Sequence, residues 1–277
     1  MSNCSTCPSK DNCGKDETSC GIENNPNNKI KHVIAVMSGK GGVGKSSMTV
    51  LLAKAYAALG FDVGIMDADI TGPSIPRLLG LSQQKAFGVD KAIQPVVDKD
   101  GIKSMSINYL VDGEDTPVIW RGPIVGNAVK QFWTDVIWGE LDVLFIDMPP
   151  GTGDVALTIM QSMPVSGVVM VSTPQPMVSM IVSKAVNMLN QMNIPVLGVI
   201  ENMSYIECPK CNEKIDLYDT NDTKQFIENT KLKLLGELPM IRGISNIHKD
   251  EDLEASEQSR IRDLVFPIAE ELIKTLK

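Results

Sequence analysis

The sequence has few of the features that membrane-spanning and nucleic-acid-binding proteins need. No apolar run in its 277 residues approaches the ~18–20 residues of a bilayer-spanning helix. Acidic residues outnumber basic ones by 34 to 26, and the net charge of −8 opposes non-specific binding to nucleic acid or to an anionic membrane. The N-terminal segment is polar and rich in cysteine, unlike a signal peptide. The composition therefore predicts a globular cytoplasmic protein with no nucleic-acid partner and no membrane partner.

Residues 1–29 contain no Val, Leu, Phe, Trp or Tyr, so they have little apolar surface from which to build a core. The segment ends in the sequence NNPNN at residues 24–28, which has the composition of a linker. We therefore expect a Cys-rich tail and linker over residues 1–29 and one folded domain over residues 30–277.

All six cysteines fall in two clusters, which in a reducing compartment indicate metal or iron–sulfur ligands before disulfides. The tail holds Cys4, Cys7, Cys13 and Cys20, and the body holds Cys208 and Cys211. By spacing alone, the C-x-x-C pair is half of a zinc site, a redox pair or two cluster ligands. A redox pair usually begins a helix. Because the polar residues 212–214 show no helical pattern, the redox interpretation is disfavoured.

Short apolar runs alternate with helical patterns along the body. Apolar residues repeat at helical spacing over 48–59, about 178–192 and 261–276. The largely apolar runs typical of buried strands are 33–37, 62–66, 141–148, 167–172 and 196–200, and 232–238 predicts a short late strand. This alternation predicts an α/β fold with a doubly wound, mostly parallel sheet and helices on both faces. Residues 72–116 follow neither period, and we expect loops and a hairpin there.

A glycine-rich segment between the first strand and the first helix matches the phosphate-binding pattern GxxxxGK[ST]. Backbone N–H groups of such a loop turn inward around phosphate oxygens, and the helix N-terminus adds favourable partial charge. Lys45 is expected to reach the β- and γ-phosphates, and the Ser46 hydroxyl to bind Mg²⁺. The predicted nucleotide-binding residues of this loop are Gly39, Lys40, Gly41, Gly42, Val43, Gly44, Lys45, Ser46 and Ser47.

Polar side chains at other strand ends are predicted to complete a nucleotide site. Asp67 and Asp69 end the second strand, and Asp147 ends the strand LDVLFID, where a carboxylate can hold Mg²⁺ or its water. The segment 149–154 that follows has the composition of a switch loop. Each aspartate could instead cap a helix or solvate a strand end, and Asn202 could be a turn residue.

The sequence KGGVGKS, with its early Lys40, resembles the deviant Walker A ATPases, the group of MinD, ParA, Mrp and the nitrogenase iron protein. More narrowly, DADITGPSIP (67–76), WRGP (120–123), DMPPGTGD (147–154) and ENMS (201–204) resemble the Mrp/ApbC iron–sulfur carriers and their eukaryotic cytosolic scaffold relatives. The resemblance covers roughly residues 30–277. Trp120 and Arg121 could act at a dimer or client surface, or equally be core and salt-bridge residues.

The resemblance implies a slow ATP hydrolase that assembles a 4Fe–4S cluster and passes it to apo-proteins, with those clients and cluster-assembly factors as partners. Its cofactors are ATP and Mg²⁺, with Ser46, Asp69 and Asp147 at the magnesium ion and Asn202 at the adenine. The implied catalytic residues are Lys40, Lys45, Asp67 and Asp69.

The same resemblance implies a homodimer that closes around two ATP molecules, with Lys40 crossing to the partner's nucleotide. Cys208 and Cys211 of both subunits hold one bridging cluster per dimer, and Zn²⁺ on the same four thiolates is the competing interpretation. In the tail, C-x2-C-x5-C matches the eukaryotic relatives, but Cys20 lies downstream of it where they place a cysteine upstream. The tail therefore holds a second cluster, zinc or nothing.

Two other functions compete with the carrier hypothesis. A MinD/ParA-like positioning ATPase with a structural zinc at the cysteine pair needs a basic amphipathic C-terminal helix, whereas Glu270 and Glu271 stand beside Lys274 here. An electron donor like the nitrogenase reductase needs cluster cysteines far apart in sequence rather than as C-x-x-C.

Overall fold

A computed structural model gives the fold of the protein. It describes residues 25–89, 92–113, 122–208, 210–211, 213–218, 232–241, 244, 247 and 255–276. The four tail cysteines, as well as Trp120 and Arg121, lie outside the described residues.

The described elements alternate between strands and helices over most of the chain. The strands are β1 (Lys29–Ser38), β2 (Val63–Asp67), β3 (Gly88–Val89), β4 (Ala92–Ile93), β5 (Val96–Val97), β6 (Lys103–Met105), β7 (Glu140–Asp147), β8 (Gly167–Ser172), β9 (Val196–Glu201), β10 (Tyr205–Glu207), β11 (Lys214–Asp216) and β12 (Leu234–Glu237). The helices are α1 (Lys45–Ala58), α2 (Ile75–Leu78), α3 (Gly122–Thr134), α4 (Asp154–Ser162), α5 (Pro176–Gln191) and α6 (Ala255–Leu276).

Eight of these strands form one sheet in the order β12-β9-β8-β1-β7-β2-β6-β5. All neighbouring pairs run parallel except β5 and β6, which are antiparallel. The order reverses on either side of β1, so the carboxyl ends of β1, β7 and β8 open onto one crevice. The predicted doubly wound, mostly parallel sheet is confirmed.

Both faces of the sheet are covered by helices, because alternate residues of the central strands point to opposite sides. On β1, Val33, Ala35 and Met37 join the apolar cluster that packs under α3, α4 and α5. Ile34 and Val36 join the second cluster, under α1 and α6. This two-sided burial explains why the central strands are apolar at every position.

Helix α6 packs its apolar side against the second cluster. Ile261, Val265, Ile268 and Leu272 are buried there, and the half-buried Glu271 pairs with Lys233. None of the helices in the described part of the chain is long and apolar enough to cross a membrane.

The structure adds elements that the sequence pattern did not predict. The expected hairpin within residues 72–116 is β3–β4, and β5 and β6 extend the main sheet from the same region. These strands are two or three residues long, too short to display a period. Helices α3 and α4 were also missed, and α4 begins at Asp154, where the predicted switch loop ends.

The last residues of the predicted linker are attached to the body. Asn25 Nδ2 donates to the carbonyl of Thr134 over 2.8 Å, and Asn28 Nδ2 donates to that of Val136 over 2.9 Å. These side-chain bonds secure the chain just before β1.

Candidate functional site

The predicted nucleotide-binding residues gather at the carboxyl ends of the parallel strands. The glycine-rich loop follows β1, Asp67 ends β2, Asp147 ends β7, and Asn202 follows β9. In the sheet β7 is the neighbour of β1, and β2 and β9 are its next neighbours on either side, so residues far apart in sequence share one edge.

The glycine-rich loop needs glycine for two separate reasons. Gly42 and Gly44 have φ angles of +78° and +82°, in the left-handed region that side chains disfavour. At Gly44, a Cβ atom would also lie 2.3 Å from Nδ2 of Asn202. Asn202 Nδ2 itself donates to the Val43 carbonyl over 2.9 Å, which ties the loop to the end of β9.

Asp147 is the polar centre beneath this loop. Its Oδ1 lies 2.8 Å from Lys45 Nζ, and both side chains are almost fully buried. Its Oδ2 accepts a hydrogen bond of 2.6 Å from the Ser46 hydroxyl. Thr49 Oγ1 donates to Oδ1 over 2.8 Å, a contact that sequence reasoning missed although Thr49 lies one helical turn after Lys45. The structure thus brings Ser46 and Asp147 together, and their assignment to Mg²⁺ stays a prediction.

Asp67 is fully buried beside this centre. It accepts hydrogen bonds from the Ser106 hydroxyl at 2.9 Å, the Asp69 amide at 3.3 Å and the Ile75 amide at 3.4 Å. Burial, together with the negative charge of Asp147, raises the pKa of Asp67 to about 8, against the opposing effects of Lys45 and Ser106. Ser106 was missed because it lies in the stretch without a period.

Asp69 is oriented by the loop that follows β2. Its carboxylate accepts hydrogen bonds from the Thr71 hydroxyl at 3.1 Å and from the Gly72 amide at 3.2 Å. Its assignment to Mg²⁺ stays a prediction.

Two buried polar atoms lie near the ends of β8 and β9. Asn202 Oδ1 and Thr173 Oγ1 have no hydrogen-bond partner among the described residues. The backbone amide of Asn202 donates to the Ser172 carbonyl over 2.8 Å, which holds these two strand ends together. Because buried polar atoms are normally paired, these two have hydrogen-bonding capacity left for a ligand, as an adenine contact by Asn202 requires.

Lys40 points toward the segment that follows β8. Its Nζ donates to Oε1 of Gln175, and its backbone carbonyl accepts from the Ser38 hydroxyl at 2.9 Å. Gln175 was not predicted as a site residue. Its place just after a buried strand at the same sheet edge is the sequence signal that could have identified it.

The two body cysteines lie at the turn of an antiparallel hairpin rather than in an isolated loop. This cysteine hairpin, residues 205–216, consists of β10, β11 and the turn between them. The Cys208 amide donates to the Glu213 carbonyl over 2.9 Å. The backbone N–H groups of Lys210 and Cys211, and the Cys211 thiol, lower the pKa of the Cys208 thiol.

The described residues of the hairpin offer two thiols and no complete metal site. Both thiols are free, with Cys208 half-buried and Cys211 exposed. Across the residues that the structure describes, no group of three or more His, Cys, Asp or Glu side chains is placed to hold a metal ion. A four-ligand site at this hairpin therefore needs ligands from elsewhere.

The two strands of the hairpin are fixed to the body by several contacts. The Met240 amide donates to the Tyr205 carbonyl over 2.8 Å, and Lys214 Nζ lies 3.1 Å from Glu237 and 4.3 Å from the centre of the Tyr205 ring. An ion pair with Arg260 of α6 holds Glu207. These contacts leave the cysteines at the exposed tip.

The sequence matches a family described as the NUBPL iron-transfer P-loop NTPases, within the ParA group, over residues 29–273. Similar proteins include the iron-sulfur cluster carrier protein of Methanocaldococcus jannaschii, 46% identical over 86% of this chain and 83% of that one. The iron-sulfur cluster carrier protein of Clostridium perfringens is also 46% identical, over 87% and 89% of the two chains.

Two solved structures share the fold of this chain. A nucleotide-binding protein from Archaeoglobus fulgidus, in complex with ADP, is 41% identical with a TM-score of 0.70 over 84% of this chain and 88% of that one. MinD in the MinC:MinD complex of Aquifex aeolicus has a TM-score of 0.64 over 88% and 96% of the chains, and at 20% identity it shows the fold alone. Matched over nearly the whole body by one family and by relatives of high identity, the chain belongs to the NUBPL-type iron-transfer P-loop NTPases.

Proposed function

We propose that this protein assembles a 4Fe–4S cluster on the Cys208–Cys211 pairs of two subunits and transfers it to apo-proteins, in a cycle of ATP binding and slow hydrolysis. The observation that carries the proposal is the exposed two-thiol hairpin next to a nucleotide site, with half the ligands that a cluster needs. The iron-sulfur carrier relatives support the identity of the cargo.

The nucleotide site accounts for ATP and Mg²⁺. Ser46 and Asp147 present a hydroxyl and a carboxylate oxygen 2.6 Å apart, which are oxygen donors of the kind Mg²⁺ selects. Magnesium, when bound, neutralises charge on the β- and γ-phosphates. Lys45 lies at the end of the phosphate-binding loop, where its ammonium group is paired with Asp147. When nucleotide binds, this ammonium group exchanges the carboxylate for phosphate oxygens.

Hydrolysis requires positioning and charge stabilisation rather than covalent chemistry. Asp67 is held by three hydrogen bonds at the end of β2, and in the proposal it orients the attacking water. Lys40 of one subunit supplies charge to the nucleotide of the other, and Asp69 contributes to the magnesium sphere. Asn202 contacts the adenine through its unpartnered Oδ1.

The cluster is cargo, and the hairpin suits it. Iron binds thiolates, and the N–H groups directed at Cys208 favour its thiolate form. Two subunits related by a two-fold axis near the tips of their hairpins supply four thiolates. Cys4, Cys7, Cys13 and Cys20 are proposed to hold a second cluster or zinc on the tail.

The test is anaerobic reconstitution with iron and sulfide, followed by iron, sulfide and zinc analysis. Two variants separate the sites: Cys208→Ala/Cys211→Ala, and a matched form with the four tail cysteines changed to Ser. The tail variant is expected to bind about four iron and four sulfide per dimer, and to transfer them to an apo-protein. The hairpin variant is expected to lose both that cluster and its transfer while still binding ATP.

One zinc per dimer in the tail variant, with no sulfide after reconstitution, would show instead that the hairpin is a structural clasp. The competing MinD-like function is less well supported, because the apolar side of α6 is buried in the body and is not available to a membrane.

A further inference from the structure

Lys40 and the cysteine hairpin are joined by one glutamine side chain. Lys40 Nζ donates to Gln175 Oε1, and Gln175 Nε2 donates to the hydroxyl of Tyr218 over 3.0 Å. Tyr218 follows β11 by two residues, at the exit of the hairpin that carries the two cysteines. The three side chains therefore connect the phosphate-binding loop with the thiol-bearing element.

The sheet order makes this connection a consequence of the fold. Strand β8 pairs in parallel with β1 on one side and with β9 on the other. Lys40 follows β1 by two residues, Gln175 follows β8 by three, and the hairpin comes after β9. Three neighbouring strand ends thus present the lysine, the glutamine and the hairpin in spatial order.

The two hydrogen bonds of Gln175 depend on each other. An ammonium group can only donate, so it requires the amide oxygen and leaves the amide NH₂ for the Tyr218 hydroxyl. When Lys40 departs, this orienting contact is lost, and Tyr218 is then bonded to a side chain that is no longer anchored at its other end. Tyr205, Glu207 and Lys214 attach the two strands of the hairpin to other parts of the body, and Tyr218 adds the contact that joins its exit to the phosphate-binding loop.

We propose that Gln175 is a positioning residue: it holds Lys40 in a resting position and, through Tyr218, transmits the departure of Lys40 to the cysteine hairpin. This inference rests on the proposed function, in which Lys40 leaves its own subunit for the partner's nucleotide. Formation of the ATP dimer then loosens the hairpin, which links cluster release to nucleotide state.

Three substitutions separate the two halves of the connection. Gln175→Glu keeps Lys40 as an ion pair and accepts a hydrogen bond from the Tyr218 hydroxyl, so it locks the resting arrangement. Gln175→Leu removes both contacts. Tyr218→Phe removes only the hairpin contact and leaves Lys40 held.

The experiment measures the alkylation rate of each thiol in full-length, reduced and metal-free protein, with and without AMPPNP and Mg²⁺. Trypsin cleaves after Lys184, Lys210 and Lys214, so Cys208 and Cys211 fall in different peptides for mass spectrometry. The four tail cysteines lie in other tryptic peptides and provide an internal reference for reagent reactivity.

The nucleotide is expected to raise the alkylation rate of Cys208 and Cys211 about three- to tenfold more in the native protein than in Tyr218→Phe, the ratio that corresponds to one net hydrogen bond. Both proteins form the same dimer, and only the native hairpin has this contact to lose. Tyr218→Phe and Gln175→Leu are expected to react fast in both conditions. In Gln175→Glu the two thiols are expected to react slowly, and about three- to tenfold more nucleotide is needed for half-maximal acceleration. In Gln175→Leu nucleotide-dependent dimerisation is expected at a lower nucleotide concentration.

An equal effect of nucleotide on the alkylation rates of the native protein and of Tyr218→Phe would overturn the inference. So would a shift of the nucleotide dependence in the same direction for Gln175→Glu and Gln175→Leu, because simple loss of packing moves both alike. The readout uses no iron, so failure of cluster reconstitution would count against the proposed function and leave this measurement to be judged separately.

Discussion

At the scale of single residues, the nucleotide site depends on close approaches that leave little room for substitution. Lys45, Ser46 and Thr49 all contact one buried carboxylate, that of Asp147. A buried charge that loses one of its partners is left incompletely paired, which is costly. Conservative changes here therefore affect the empty protein as well as nucleotide binding.

Gly44→Ala tests the close approach of the loop to Asn202. The variant is expected to lose ~1–2 kcal/mol from the left-handed backbone and a further ~1–3 kcal/mol from the clash. Gly101→Ala is the matched control, because Gly101 has a φ of +81° with no atom within 4 Å of an added Cβ. Urea unfolding measures both. Equal losses of unfolding free energy in the two variants would show that the clash with Asn202 adds nothing to the cost of the left-handed backbone.

Asp67→Asn tests the ionisation of the buried carboxyl in metal-free, nucleotide-free protein. The pKa of Asp67 is raised from 3.8 to about 8, so between these values the folded protein keeps a proton that the unfolded chain releases. This contribution to stability is complete at low pH and is lost as the pH rises toward 8. The melting temperature of the variant relative to the native protein is therefore expected to increase from pH 5 to pH 8.5.

Asp142→Asn is the control for this pH series. The hydrogen bond from Lys31 lowers the pKa of Asp142, so its ionisation is complete in both states over the same range. Its melting-temperature difference is expected to be flat from pH 5 to pH 8.5. A flat profile for Asp67→Asn as well would show that Asp67 is ionised throughout.

At the scale of elements, glycines lie where a strand or a helix packs closely against a neighbouring element. A Cβ at Gly236 of β12 would lie 2.6 Å from the Ile268 side chain of α6. A Cβ at Gly126 of α3 would lie 3.6 Å from Thr158 of α4, an ordinary van der Waals contact. The close approach of Ile268 therefore requires glycine at position 236, whereas the contact with Thr158 leaves room for a methyl group at position 126.

Gly236→Ala is expected to destabilise the protein by ~1–3 kcal/mol, because it forces β12 and α6 apart. Gly126→Ala is expected to be neutral or to stabilise by ~0.5–1 kcal/mol, since alanine favours the helix. Chemical denaturation of both variants measures the difference. Comparable losses in the two would contradict the assigned packing between β12 and α6.

At the scale of the whole molecule, the body is one two-sided core around the sheet, and the N-terminal segment has little to add to it. Residues 1–24 contain Met1 and Ile22 as their sizeable apolar side chains besides cysteine. Asn25 and Asn28, by contrast, donate hydrogen bonds to the body.

Two truncations test where the body begins. Removal of residues 1–24 is expected to change the melting temperature by less than about 2 °C. Removal of residues 1–29 also deletes the Asn25 and Asn28 bonds and the first residue of β1, and is expected to cost ~1–3 kcal/mol. A large loss in the shorter truncation would show that the tail supports the fold.

Much of this molecule could be predicted from local pattern. The parallel sheet follows from continuous apolar runs and their alternation with helices, because burial on both faces leaves a mark on every residue of a strand. The phosphate-binding loop follows from glycines and a lysine at fixed spacing, because its backbone geometry is local. Of the missed elements, β5 and β6 are short and the cysteine hairpin lacks apolar periodicity. Helix α3 does carry a signal, because its buried residues Val125, Val129 and Phe132 repeat at helical spacing.

The tertiary structure alone decided which distant residues meet. The contacts of Asp147 with Thr49, of Asn202 with the loop at Gly44, and of Gln175 with Lys40 and Tyr218 join segments more than 40 residues apart. Such contacts arise from strand order in the sheet, which hydrogen bonding and packing across the whole core select, and a linear pattern does not encode that order in any one segment. The types of chemistry at this edge were therefore determined by the sequence alone, and the partners of each side chain by the fold.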